Sequence, residues 1–327
     1  MSGERHCGGF EMTDDGRPTT DDRQQTTADR GRWSAVGGRH VLRLTIFAAV
    51  TLVAALAALD VGLAWIFVSG MTHPGCRQPQ LVAGLPAPET HWLPTQDGLA
   101  LRVWYYPSQN GAAILVFGGL TGSLGDSLPP VIPLIRAGYG VLQIDSRACA
   151  NPPAPVTLGG NEIYDAGAAL EFLLSRPEVD SERIGAIGFS MGGATALRAA
   201  AANPQIRTVV RDGGFSNLGE LLSPAESASI PQLIFQSTVL AIYQYQTGVD
   251  PWAVDPIGDL PAISPRPVLL IFGEHEAASG REQFEAAREP KELWIVPGGT
   301  HGRNQIVAPE EYERRVFEFF EGEMGGW

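Results

Sequence analysis

Gly188-Phe189-Ser190-Met191-Gly192-Gly193 stands between an apolar run, Arg183 to Ile187, and a helix-forming run, Ala194 to Ala202. A serine in this setting reads as a nucleophile on a turn between a strand and a helix. Side chains two residues before and after the serine would collide in so tight a turn, which calls for glycine at 188 and 192. Met191 begins the helix, so its N–H lacks an intrahelical acceptor and points at charge developing on a substrate oxygen. A serine hydroxyl also needs a base at neutral pH, and histidine titrates in the right range. His301, in Val296-Pro297-Gly298-Gly299-Thr300-His301-Gly302, follows a predicted strand near the chain end, whereas His91 precedes the core strands and His73 lies in a linker. The imidazole in turn needs a carboxylate to hold its tautomer. Glu276, at the end of Ile271-Phe272-Gly273-Glu274-His275-Glu276, is the first candidate; Asp212, in Val210-Arg211-Asp212-Gly213-Gly214, and Glu274 are alternatives.

Elements able to position these groups follow from the hydrophobic pattern. Leu99 to Tyr106 alternates as a half-buried strand, and Ala112 to Phe117 and Gly140 to Ile144 are continuous apolar runs suited to strands buried on both faces. Further strands are predicted at 184–189, 208–211, 267–272 and 292–296, and helices at 129–137, 161–175 and 309–322. Strands alternating with helices specify an α/β architecture, a mostly parallel sheet with helices on both faces. Residues 220–262, with Pro224, Pro231, Pro251, Pro256 and Pro261, break the alternation and read as a small cap insertion.

The order Ser190, Glu276, His301 matches the α/β-hydrolase fold, and residues 90–322 resemble that family, in particular its serine aminopeptidase-like and acyl-peptide-hydrolase-like esterases and peptidases. Gly188 to Gly193, Val179-Asp180-Ser181-Glu182-Arg183-Ile184, Arg266-Pro267-Val268, Gly273 to Glu276 and Gly298 to His301 carry the resemblance. It implies an oxyanion-hole donor after the third strand, in Phe117-Gly118-Gly119-Leu120-Thr121-Gly122. The role falls on the N–H of Gly119, with Leu120 as the one-residue alternative and Met191 as the second donor. Three positions depart from the family's habits: Phe117 where many relatives carry His, Glu276 where most carry Asp, and Ala148 where glycine usually follows the arginine.

Leu44 to Val68 runs for 25 residues with Asp60 as its only charge, long enough to span a bilayer. Asp60 costs about 3 kcal/mol near a helix centre, while the thirteen Leu, Ile, Val and Phe residues together contribute roughly −6 kcal/mol, so insertion wins. Arg30, Arg32, Arg39 and Arg43 precede the segment and only Arg77 closely follows it, which keeps the N-terminus cytoplasmic and sends the rest of the chain outside. The chain is thus expected to hold a disordered tail over 1–43, a single-pass anchor over 44–69, a Pro- and Gly-rich linker over 70–89 and the α/β domain over 90–322. A cleaved signal peptide ending near Val68-Ser69-Gly70 is the rival. Cys76 and Cys149 would share an oxidising compartment and be free to pair.

The tail carries seven Arg and seven Asp or Glu, so the whole net charge of −13 belongs to the remainder, which argues against nucleic acid. Lys291 is the single lysine among 23 basic residues, a bias typical of GC-rich bacterial genomes. No spacing of Cys and His suggests a metal, and no cofactor motif is present. The leading expectation is a membrane-anchored serine hydrolase acting on an ester, or on a peptide or other amide, in a small-molecule or peptide acyl substrate. An acyltransferase on the same residues and a non-catalytic binding protein of the same fold are the alternatives.

Overall fold

The computed structural model describes residues 20–224 and 227–325, with side chains from Arg39 onward. The chain divides into two units, residues 1–59 and 60–327. The first is helical from Thr20, within a helix α1 that runs Thr20–Thr72. Its apolar residues, among them Leu44, Phe47 and Leu52, are exposed. Among the described residues, Arg39–Thr72 is the one stretch long and apolar enough to cross a membrane. The first nineteen residues of the expected disordered tail lie outside the described residues. From Thr20 the backbone is helical and continuous with the apolar segment.

The second unit is built on an eight-stranded sheet of order β1-β2-β4-β3-β5-β6-β7-β8. The strands are β1 (Glu89–Pro94), β2 (Ala100–Tyr106), β3 (Ala113–Phe117), β4 (Gly140–Ile144), β5 (Ile184–Phe189), β6 (Ile206–Asp212), β7 (Val268–Gly273) and β8 (Lys291–Val296). β1 and β2 pair antiparallel with each other, as do β2 and β4, and every other pairing is parallel. The helices are α2 (Ile132–Arg136), α3 (Glu162–Leu174), α4 (Met191–Ala202), α5 (Leu218–Leu222), α6 (Ile230–Thr247), α7 (Pro256–Ile263), α8 (Ala277–Ala286), α9 (Asn304–Val307) and α10 (Pro309–Met324). Period-2 alternation divides the core between the two faces. On β3, Ala113, Leu115 and Phe117 join the apolar layer of α3 and α4, and Ile114 and Val116 join that of α2 and α10.

Seven strands fall where the apolar runs predict them, within one or two residues. β1 was not anticipated, because only Leu93 is buried in this edge strand and no apolar run marks it. The same holds for α8, whose buried positions are Gly280 and Gln283. Among the described residues of 220–262, most lie in the helices α5, α6 and α7. Pro231, Pro251 and Pro256 sit in first turns, where a missing N–H costs nothing. α7 also belongs to the main core, through Leu260 and Ile263, and only α5, α6 and the turn after them stand apart from it.

The stretch expected as a linker is tied down. Cys76 and Cys149 form a disulfide with Cα atoms 4.8 Å apart, Gln80 N–H donates to Leu124 O at 2.9 Å and Val156 N–H donates to Thr72 O at 2.8 Å.

The sharpest packing constraint is at the β5–α4 turn. A methyl group at 188 would run into the Gly192 carbonyl, and one at 192 into the carbonyls of Phe117 and Gly118. Backbone cannot yield as a flexible side chain does, so Gly188→Ala should cost more than about 3 kcal/mol. In a domain of this size that lowers the melting temperature by roughly 10 °C. A circular-dichroism melt with an unchanged midpoint would contradict this packing.

Candidate active site

Ser190 joins β5 to α4 with φ 55° and ψ −117°, a conformation an L-residue adopts only under constraint, at a cost of about 1–3 kcal/mol. The constraint is visible: Ser190 N–H donates to Asp212 O at 2.8 Å, and Ser190 O accepts from Ala194 N–H at 3.1 Å. The hydroxyl is thereby lifted clear of the strand end. His301 comes from the loop after β8, and its Nε2 lies 2.9 Å from Ser190 Oγ. Its Nδ1 lies 2.8 Å from Glu276 Oε1, at the carboxyl end of β7. A carboxylate only accepts, so Nδ1–H donates to Glu276 and Nε2 is left to accept the serine proton.

Asp212 sits below this line of three without touching the imidazole. Its two oxygens accept from Asn304 Nδ2 at 2.7 Å and from Tyr312 OH at 2.8 Å. Burial pushes its carboxyl up to about 6, with those two hydrogen bonds opposing the rise. A raised acid holds its proton more tightly in the folded chain, so this contribution to stability is full below the ordinary carboxylate range and is lost as pH climbs toward about 6. Glu274 turns away, accepting from Gly298 N–H at 2.8 Å. Of the three carboxylates weighed from sequence, Glu276 alone is hydrogen-bonded to His301.

The amides of Gly119, Leu120 and Met191 donate to no backbone carbonyl among the described residues. Gly119 and Leu120 line an open cavity of about 730 Å³ that also reaches Ser190, His301 and Ile306, while Met191 shares the lining of a smaller cavity with Gly119. That disposition suits binding of a negatively charged oxygen beside the serine. Among the described residues no cluster of His, Cys, Asp and Glu is arranged to hold a metal ion.

Three supporting residues were not singled out from sequence. Tyr312 and Asn304 fix Asp212, and they lie on α10 and α9, whose polar residues gave no motif. Arg211 had a signal, a guanidinium directly after the apolar pair Val209-Val210 near the end of a strand. It is fully buried, donating to Gly213 O at 2.9 Å and to Phe215 O. It thereby holds the backbone that passes beneath His301 and Glu276. Burial lowers the Arg211 guanidinium to about 9, and the negative charge of Glu276 opposes the fall.

Residues 112–251 match the family model described as alpha/beta hydrolase fold. An uncharacterized protein of Mycobacterium tuberculosis is 30% identical over 237 residues, which cover 70% of this chain and 78% of that one. An esterase of Pyrococcus furiosus, known from its crystal structure, is 26% identical with a TM-score of 0.57, covering 77% of this chain and 99% of the esterase. The acylaminoacyl peptidase of Pyrococcus horikoshii shares the fold at 18% identity and a TM-score of 0.56, over 74% of this chain and 43% of the peptidase. The chain belongs to the α/β-hydrolase fold family. Fold and neighbours together support hydrolysis of a small-molecule substrate as the reaction class.

The Glu276 hydrogen bond raises the His301 imidazole above its ordinary value, against the opposing effect of burial. The corresponding stability is present below the unfolded-state value and is lost as pH rises through the folded one. Following the His301 ring protons by NMR across pH should therefore give a midpoint above about 6.5. Glu276→Gln should lower it markedly and Asp212→Asn should lower it less; the reverse order would assign the imidazole's partner to Asp212.

Proposed function

We propose that the chain is a membrane-anchored serine hydrolase that cleaves a carboxylic ester, or an amide or peptide bond, through an acyl-Ser190 intermediate. The observation that carries this reading is the hydrogen-bonded line Ser190–His301–Glu276, at 2.9 and 2.8 Å, in the chain order of the family. In this mechanism His301 Nε2 takes the Ser190 proton as Oγ attacks the acyl carbonyl. The N–H groups of Met191 and Gly119 receive the oxyanion, a contribution of about a hundred- to thousandfold in rate per donor. The imidazolium, steadied by Glu276, passes its proton to the departing alcohol or amine, leaving the acyl group on Oγ. Water then enters, gives a proton to Nε2 and attacks the same carbonyl, and collapse of the second tetrahedral intermediate returns Ser190 and frees the acid. Every proton removed is delivered within the cycle, so no cofactor is required.

The domain organisation we propose is a cytoplasmic tail over 1–43, an anchor over 44–69, a tethered linker over 70–89 and the hydrolase domain over 90–322. Its cap lies within 220–262. The N-terminus is on the cytoplasmic side and the hydrolase domain outside. The Cys76–Cys149 disulfide supports that side, since such bonds persist in oxidising compartments.

With the full chain in membranes and a chromogenic acyl ester as substrate, Ser190→Ala should abolish turnover. His301→Ala should lower it by about a thousandfold or more, and Glu276→Gln by less. Turnover of Ser190→Ala at the wild-type rate would remove Ser190 from the chemistry.

A further inference from the structure

The helix α6 carries no charged residue over its eighteen positions, Ile230–Thr247, in a chain of net charge −13. One face is internal: Val239, Ile242 and Tyr243 join Leu120 and Met191 in a single apolar cluster. The outward surface is polar further along, at Ser237 and Gln244, but at the start of the helix it is largely aliphatic, with Ile230 73% exposed, Ile234 55% and Leu233 43%. Three large aliphatic side chains within five residues of one exposed helix end are unusual on a water-facing surface.

α6 is also fastened to the last turns of α1. Thr238 Oγ1 donates to Asp60 Oδ2 at 2.7 Å, and Gln246 exchanges hydrogen bonds with Ser69 at 2.9 Å and Thr72 at 2.8 Å. Phe67 meets Phe235 and Trp65 meets Tyr245 at ring distances of 6.3 and 6.1 Å. Ala64 and Val68 are fully buried in the same cluster, while Val61, Leu63 and Ile66 beside them stay exposed.

Length decides what medium this surface meets. Of the apolar run Leu44 to Val68, sixteen residues precede Asp60, about 24 Å of helix against a hydrocarbon core of about 30 Å. A bilayer crossing must therefore draw on residues beyond Asp60, the same residues to which α6 is fastened.

We propose that α6 lies in the outer interface of the bilayer, with Ile230, Leu233 and Ile234 among the lipid chains. The proposal rests on the reading of α1 as a membrane anchor. α6 has no Lys or Arg to attract anionic headgroups, so the partner is a neutral, zwitterionic lipid surface held by apolar area. It also answers the objection raised by Asp60, whose carboxylate meets the Thr238 hydroxyl rather than bare hydrocarbon. Because the internal face of α6 packs with Leu120 and Met191, lipid at its outer face lies about one helix diameter from the amides of those residues.

The test uses the full chain with Cys7→Ser, the Cys76–Cys149 disulfide left oxidised, reconstituted in phosphatidylcholine vesicles. A single cysteine at Ile234, Leu52 or Glu323 carries an environment-sensitive fluorophore, and lipids bearing a doxyl quencher near the headgroup end of the acyl chain, or deep within it, are added. Glu323 is the outside reference, since its neighbour Met324 lies against the start of β5, opposite the serine. The proposal predicts quenching at Ile234→Cys by the shallow quencher, quenching at Leu52→Cys by the deep one, and none at Glu323→Cys. Quenching at 52 without quenching at 234 overturns the proposal and leaves the anchor standing, whether α6 then faces water or a second copy of the chain. Absence of quenching at both overturns the two together. An unchanged circular-dichroism melt shows that each labelled chain is folded, and Leu233→Cys repeats the test should Ile234→Cys fail to fold.

Discussion

Every part of the candidate site hangs on the backbone reversal at Ser190. A residue with a Cβ is held at φ 55° between β5 and α4, and two glycines make the reversal possible because the carbonyl of Gly192 and those of Phe117 and Gly118 occupy the space their side chains would need. The same turn performs three tasks. It raises the hydroxyl above the sheet, opens the helix so that the Met191 amide is unspent, and brings the end of β3 close enough for the Gly119 amide to border the same cavity. The strain is offset by hydrogen bonds to Asp212 O and from Ala194 N–H. The parallel strands β3 to β8 all end on one edge of the sheet, which lets loops after β7 and β8 deliver Glu276 and His301 from distant sequence.

Charge around the imidazole is divided between two carboxylates with different duties. Glu276 touches Nδ1, whereas Asp212 is saturated by Asn304 and Tyr312 and is buried enough to titrate at about 6. The longer arm of Glu276 suits this division, since it reaches His301 Nδ1 while Asp212 keeps its two donors. Arg211, buried behind both, holds the Gly213–Phe215 backbone.

Much of this was legible in the sequence, for identifiable reasons. Strands buried on both faces announce themselves as apolar runs, and the glycine spacing around Ser190 is dictated by sterics that no distant residue can relieve. The chain order of Ser190, Glu276 and His301 follows from one topology. What was not legible depends on partners far along the chain. β1 and α8 bury too little to leave a periodic trace, and the choice between Glu276 and Asp212 turned on Asn304 and Tyr312, some 90 to 100 residues beyond Asp212. Pro231, Pro251 and Pro256 read as breaks because their positions at first turns become apparent only once the helices are known. α6 was hidden among them, and with it the place where Asp60 finds its partner.

The central claim is that an acyl group passes through Ser190. Its most direct test is intact-mass and peptide mass spectrometry of the full chain quenched in acid within the first turnovers on an activated acyl ester. The account predicts a mass gain equal to the acyl group, confined to the peptide that contains Ser190 and absent from Ser190→Ala. Product release with no such adduct at any quench time, or an adduct on another residue, would contradict it.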